Sequence, residues 1–197
     1  MKIILMRHGK PALENGRALF ARDMTHWIAS YDLAEIGEEM ATSQAIAAVR
    51  DIGLAATSTA PRALTSLAAL DLAPTIKDAV FCEAALPVVR VPLLRLSPFA
   101  WAFVFRLLWL CGLAKDTESY AQARQRSRQA ADTLAALAER NGENVLLLGH
   151  GFMNRLIAKH LRRQGWAEGA NSGSGYWSFA VYERSPGNDH QPSARRS

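Results

Sequence analysis

The sequence is poor in cysteine: Cys82 and Cys111 are the only two in 197 residues. Two cannot build a disulfide framework, and no CxxC pair suggests a zinc or redox centre, so a reducing compartment, the cytoplasm, is expected. Long apolar runs are scarce as well. The N-terminal run Ile3, Ile4, Leu5, Met6 turns at once into Arg7-His8-Gly9, too short for the core of a signal peptide. Residues 99–113 are apolar apart from Arg106, yet a helix over 98–112 would reach only roughly 22 Å at about 1.5 Å per residue, short of the ~30 Å hydrocarbon core. No transmembrane span is therefore expected. Neither a Walker A nor a nucleophile-elbow pattern occurs. His26, His160 and His190 show no ligand spacing with one another or with the cysteines, so no metal or cofactor is expected. Charge of one sign is also lacking: 23 basic against 18 acidic side chains leave +5, and no basic cluster is interleaved with aromatics. Nucleic acid is not an expected partner.

What the chain does have is enough apolar material for a core, 49% of residues, arranged as short runs alternating with longer helical patterns. That alternation predicts an α/β chain with a mostly parallel sheet. Strands are predicted at residues 2–6, 53–57, 145–148 and 176–182, with a weaker one at 76–81, where Lys77 and Asp78 suit an edge position. Helices are predicted at 35–49, through Ile36, Met40, Ile46 and Val49, and at 61–70, 117–140 and 152–163. Asn141-Gly142 should end the third of these. Residues 86–114 carry Pro87, Pro92 and Pro98 and then the apolar run, and read as an insertion with its own helix, Ser97 as N-cap and Pro98 at the first helical position. Within it Trp101 and Trp109 are eight apart and share a helical face. Residues 1–184 are expected to form one domain, and the polar residues 185–197 a disordered tail. The run Arg124, Arg126, Arg128 reads as a solvated helical face.

Two histidines occupy matching positions, His8 directly after one buried strand and His150 directly after another, each beside a glycine. The carboxyl ends of strands line the ligand crevice of an open α/β sheet, so neighbouring strands would bring both imidazoles into one pocket. Arg7 precedes His8, and Arg62 opens the helix after the second strand. Guanidiniums converging with imidazoles suit a phosphoryl group, whose oxygens arginine binds in bidentate fashion.

Leu5-Met6-Arg7-His8-Gly9 resembles the opening signature of the histidine phosphatase superfamily, also called phosphoglycerate-mutase-like. Leu148-Gly149-His150-Gly151 resembles its second histidine motif, and Ser58-Thr59-Ala60-Pro61-Arg62-Ala63 its intervening segment, with serine four residues before the phosphate-binding arginine. The resemblance spans residues 1 to about 183. It implies a three-layer α/β/α sandwich and a phosphohistidine mechanism in which His8 is the nucleophile. Arg7, Arg62 and His150 would hold the phosphoryl oxygens, and a carboxylic acid would protonate the departing oxygen. Glu83 matches the family's usual location for that acid, with Glu14 as fallback. The chain departs from the family where Lys10, Pro11 and Glu14 follow the first motif, where Thr65-Ser66 replace the customary Gln-Thr pair, and where Gly151 stands in place of the aspartate of the acid phosphatase branch.

The function implied is hydrolysis of a phosphomonoester, from a small molecule or a phosphoprotein. Phosphoglycerate-mutase-type transfer is the alternative within the fold. A low-turnover binding or regulatory module docking through the apolar segment is the alternative from another class. A second copy of the chain docking through Phe99, Trp101, Phe103 and Trp109 is a further expectation. If the apolar segment overhangs the site, the leaving group should be bulky or partly apolar.

Overall fold

Alternate residues of the first strand pack on opposite sides of the sheet, and this sets the architecture. In the computed structural model, which describes residues 1–13, 16–89, 91–114 and 116–184, β1 (Lys2–Arg7) sends Ile3 and Leu5 into one apolar core and Ile4 and Met6 into another. After it come β2 (Leu19–Phe20), α1 (Met24–Leu33), α2 (Ser43–Ala48), β3 (Leu54–Thr57), α3 (Pro61–Ala69), β4 (Ile76–Lys77), β5 (Arg95–Leu96), α4 (Pro98–Leu110), α5 (Tyr120–Asn141), β6 (Val145–Gly149), α6 (Gly151–Arg163), β7 (Ala167–Asn171) and β8 (Phe179–Glu183). The main sheet runs β4-β3-β6-β1-β8-β7. Its first four strands are parallel, while β8 and β7 close one side antiparallel.

Residues Val145 to Leu148 of β6 are fully buried because both sheet faces are covered, which is why parallel strands read as unbroken apolar runs. One face packs on α5 and α6 through Leu134, Leu156, Ile157 and Leu161; the other packs on α2 and α3 through Ala45, Ala63 and Leu67. At about 1.5–3 kcal/mol for each large side chain buried, the apolar residues of β1 and β6 contribute substantially to the fold's stability. Pairing of β1 with β6 puts Arg7 opposite Gly149, so the next residues along, His8 and His150, emerge side by side.

The predicted starts at Pro61 and above Pro98 and the predicted stop at Gly142 hold, while α5 begins at Tyr120 rather than at residue 117. Pro61 starts α3, the Ser97 hydroxyl accepts from Ala100 N at 3.3 Å above Pro98, and Ser119 with Gln122 forms a reciprocal capping box on α5. Gly142 ends α5 with φ of 67°, a conformation glycine adopts without strain. A third, smaller core joins α1 to α4: Met24, Trp101 and Phe105 are wholly buried, and Trp101 Nε1 donates to Leu19 O at 2.8 Å.

Several expectations fail locally. The predicted helix over 35–49 is only Ser43–Ala48, because Ile36 bridges to Pro11, Gly37 N donates to Lys10 O, and Thr42 caps a later start; Met40 is left 81% exposed. The strand at 76–81 shrinks to the edge strand Ile76–Lys77, since the Asp78 carboxylate accepts from Val80 N and curls the chain into a short helical turn. The last strand begins at Phe179, after a turn in which Trp177 adopts φ of 59°. Strand β7, helix α1 and the β2–β5 pair were not anticipated; β7 is exposed at every residue, so no apolar alternation marks it. Trp101 and Trp109 share a face, as expected, but that face is buried at 0% exposure, which removes both from any docking surface; Phe99 and Phe103 keep 47% and 65% exposure. The expected tail at 185–197 lies outside the described residues. Among the described residues no helix is long and apolar enough to cross a membrane.

Candidate active site

The two histidines meet at the carboxyl edge of the sheet, their ring centroids 5.1 Å apart. His8 Nδ1 lies 2.7 Å from the carbonyl oxygen of Gly9, which can only accept, so Nδ1 carries the proton and Nε2 keeps its lone pair. Burial, then the neighbouring His150, then Arg62 and Arg7, push the His8 pKa from 6.5 down to about 3 against the opposing pull of that carbonyl. The imidazole is therefore neutral and oriented, as a nitrogen nucleophile must be.

His150 is held by Ser58, whose Oγ sits 2.8 Å from Nε2. Ser58 Oγ also accepts weakly from Ala60 N at 3.4 Å; in the tautomer in which its hydroxyl donates to His150 Nε2, the imidazole proton resides on Nδ1. That Nδ1 is buried and has no partner. Burial first, and then Arg62, Arg7 and Arg126, lower the His150 pKa to about 3.

Arg62, buried near the start of α3, donates from Nη1 to Tyr31 O at 3.0 Å and from Nη2 to the Asp32 carboxylate at 3.3 Å. Arg7 donates from Nη1 to Ser174 O at 2.9 Å and stacks on Tyr176 at 4.3 Å. Each guanidinium keeps one buried donor, Nε, without a partner. Three cationic or neutral donors thus converge with unspent hydrogen bonds, which an oxyanion would satisfy.

Glu83 lines the same cavity as Arg7, Arg62 and His150, a space of about 540 Å³. Its carboxylate caps α6: Oε1 accepts from Ala84 N at 3.0 Å and Met153 N at 2.9 Å, and Oε2 accepts from Phe152 N at 3.0 Å. Two bonds fill Oε1 and one leaves Oε2 a free lone pair. The fallback residue Glu14 lies outside the described residues. No cluster of three or more His, Cys, Asp or Glu with the arrangement of metal ligands occurs among the described residues.

Supporting residues escaped sequence reasoning because they come from distant segments. The Ser66 hydroxyl accepts from Gly9 N at 2.8 Å and donates to Arg62 O at 2.6 Å, tying the first motif to α3. Arg126 does not belong to a solvated face: its Nη1 donates to Val80 O and Cys82 O at 2.9 and 2.7 Å, while Glu118 pairs with it at 2.7 Å. It thereby fixes the turn that presents Glu83. Trp177, in the left-handed region that a bulky residue rarely occupies, lays its ring where a Gly9 side chain would be, 2.6 Å from an ideal Cβ. Gly9 is thus required by close approach. A serine four residues before Arg62 was visible in the motif; Tyr31, Tyr176, Arg126 and Trp177 had no such signal.

Paired histidines and arginines at the carboxyl edge of a parallel sheet have the chemistry that suits a phosphoryl group. The sequence matches the histidine phosphatase superfamily (branch 1) over residues 3–190, and the chain belongs to that family. It is accordingly an enzyme of the phosphatase and phosphoryl-transfer class. Its fold is similar to a mycobacterial glucosyl-3-phosphoglycerate phosphatase solved with VO3, at 18% identity and TM-score 0.56 over 91% of each chain. It is also similar to the ecdysone phosphate phosphatase of Bombix mori, at 15% identity and TM-score 0.53 over 100% of this chain and 97% of that one. Phosphoglycerate mutase of Bacillus anthracis matches at 18% identity and TM-score 0.53, over 83% and 81%. No curated protein matches the sequence.

Proposed function

We propose that this chain hydrolyses a phosphomonoester through a phosphohistidine on His8. The observation that carries the reading is the unspent hydrogen bonding around a neutral imidazole: Arg7 Nε, Arg62 Nε and His150 Nδ1 are buried without partners beside a histidine whose Nδ1 is committed to Gly9. In the first step His8 Nε2 forms a bond to phosphorus as the ester oxygen–phosphorus bond breaks, and the departing oxygen takes a proton from Glu83 Oε2. In the second step water attacks phosphorus, its proton returns to Glu83, and the nitrogen–phosphorus bond breaks. Arg7, Arg62 and His150 offset the charge on the three equatorial oxygens, the largest electrostatic contribution in phosphoryl transfer.

Incubation with a generic aryl phosphate tests the proposal. Steady phosphate release, an acid-labile phosphoryl-enzyme on rapid quench, and loss of both in His8→Ala are the expected results. Negligible release with transfer dependent on a bisphosphorylated acid would instead establish a mutase. Release unchanged in His8→Ala would remove His8 as nucleophile.

A further inference from the structure

The cavity's outer wall is built of different chemistry from its phosphate end. From Arg62 an aromatic series runs outward: the Tyr31 ring lies 4.6 Å from the Arg62 guanidinium, Trp27 stacks on Tyr31 with centroids 5.1 Å apart, and Phe99 meets Trp27 edge-on at 5.5 Å. Phe99, Ala102 and Arg106 of α4 share one helix face along this wall. The aromatic series therefore begins at a residue of the phosphate end and finishes on the helix that covers it.

Two residues of the wall hold donors that nothing satisfies. Trp27 Nε1 and Arg106 Nη1 are both buried and without a partner. Arg106 Nη2 donates to Ala84 O at 2.8 Å, and its guanidinium lies 4.7 Å from the Trp109 ring and 4.6 Å from that of Phe152. Glu83 and Glu118 favour its charge, yet Glu83 is engaged by the α6 backbone and Glu118 by Arg126. A cation in an apolar wall without an anionic partner is costly unless a ligand supplies one.

Resting on the phosphomonoesterase reading, we propose that this wall is a leaving-group subsite for an aromatic alcohol bearing a carboxylate, its ring against Trp27 and Phe99 and its carboxylate on Arg106. A polyol would leave the ring faces wet, and a plain arene would leave Arg106 unpaired. An aromatic carboxylate satisfies both.

Calorimetric titration with phosphonates, which need no turnover, tests this. Phenylphosphonate should bind about tenfold tighter than methylphosphonate, from burial of the ring. 4-Carboxyphenylphosphonate should gain about a further tenfold from a charge-assisted pair. Phe99→Ala should erase most of the first gain and Arg106→Met the second. Arg106→Gln, which keeps a donor for Ala84 O, repeats the second result if the methionine variant does not fold. Phe103→Ala, on the outward face of α4, should alter neither. Equal affinity for methyl- and phenylphosphonate, or a carboxylate gain that survives both Arg106 variants, overturns the proposal. Ordered binding without phosphate release would defeat hydrolysis alone, and phosphate release with flat affinities would defeat the subsite alone.

Discussion

The phosphate end of the cavity and its outer wall are built on opposite plans. At the phosphate end, His8 and His150 directly follow the adjacent strands β1 and β6, whose apolar residues are buried, and each side chain is tied by a short bond, Nδ1 to Gly9 or Nε2 to Ser58. At the outer wall, α1 and α4 come from segments some seventy residues apart and meet through a small satellite core of Met24, Trp101 and Phe105. The first plan gives rigidity, so the transition state meets groups already in place. The second gives a surface that can vary without disturbing the chemistry, because its side chains contribute little to the main core. On the proposed reading, phosphate recognition would be coupled to the stability of the sheet, and leaving-group recognition would not.

The largest expected break in this contrast is at Glu83, where the two regions join. Glu83→Gln should slow alkyl phosphates by about 10²–10⁴-fold while sparing aryl phosphates, whose oxygens leave without a proton. Steady-state kinetics on one ester of each kind measures it. Equal losses would make Glu83 a positioning group, and a negligible loss would place the donor elsewhere.

Acid should separate the regions next. His8 and His150 stay neutral in the folded chain down to about pH 3, but protonate near 6.5 once unfolded. The unfolded chain therefore binds more protons between those values, and stability present above about pH 6.5 declines as pH falls toward 3. Urea titrations at pH 7, 5.5 and 4.5 should show this slope, and His150→Gln should flatten it; a slope unchanged by that variant would refute the assignment.

Packing gives a smaller test. Gly9→Ala drives a methyl group into the Trp177 ring, 2.6 Å away, and should cost about 1–3 kcal/mol by chemical denaturation along with most activity. Smallest is Ser97→Ala at the cap of α4, expected to cost about 1 kcal/mol. Its mark should be a raised KM for aryl esters with inhibition by vanadate unchanged. Weakened vanadate binding would show the two regions to be more coupled than their construction suggests.

Much of the phosphate end could be read from the chain because its parts are local. A buried strand dictates an unbroken apolar run, the turn after it dictates glycine, and the residue between is the histidine; hence Arg7-His8-Gly9 and Gly149-His150-Gly151 announced the position of each histidine, and the pairing of β1 with β6 made them partners. Arg62 stood at the start of the helix after the second strand, and the family resemblance supplied its expected role. Elsewhere local pattern misled. Met40 and Ile46 had helical spacing without a buried face to share, and Arg126 read as solvated although three carbonyls and Glu118 surround it.

By itself, then, the sequence determined the layered α/β class and the place of two histidines at strand ends, since these depend on periodicity and on turn chemistry within a few residues; the residues expected to receive phosphate came from the family resemblance, and the adjacency of the two strands from the tertiary structure. Only the tertiary structure decided that Glu83 is clasped by the first turn of α6, that Trp101 and Trp109 face inward, and that Trp27, Tyr31 and Phe99 line up beyond Arg62. Those outcomes rest on contacts between segments far apart in the chain. Their geometry is fixed by how whole helices pack on the sheet, and no local spacing records it.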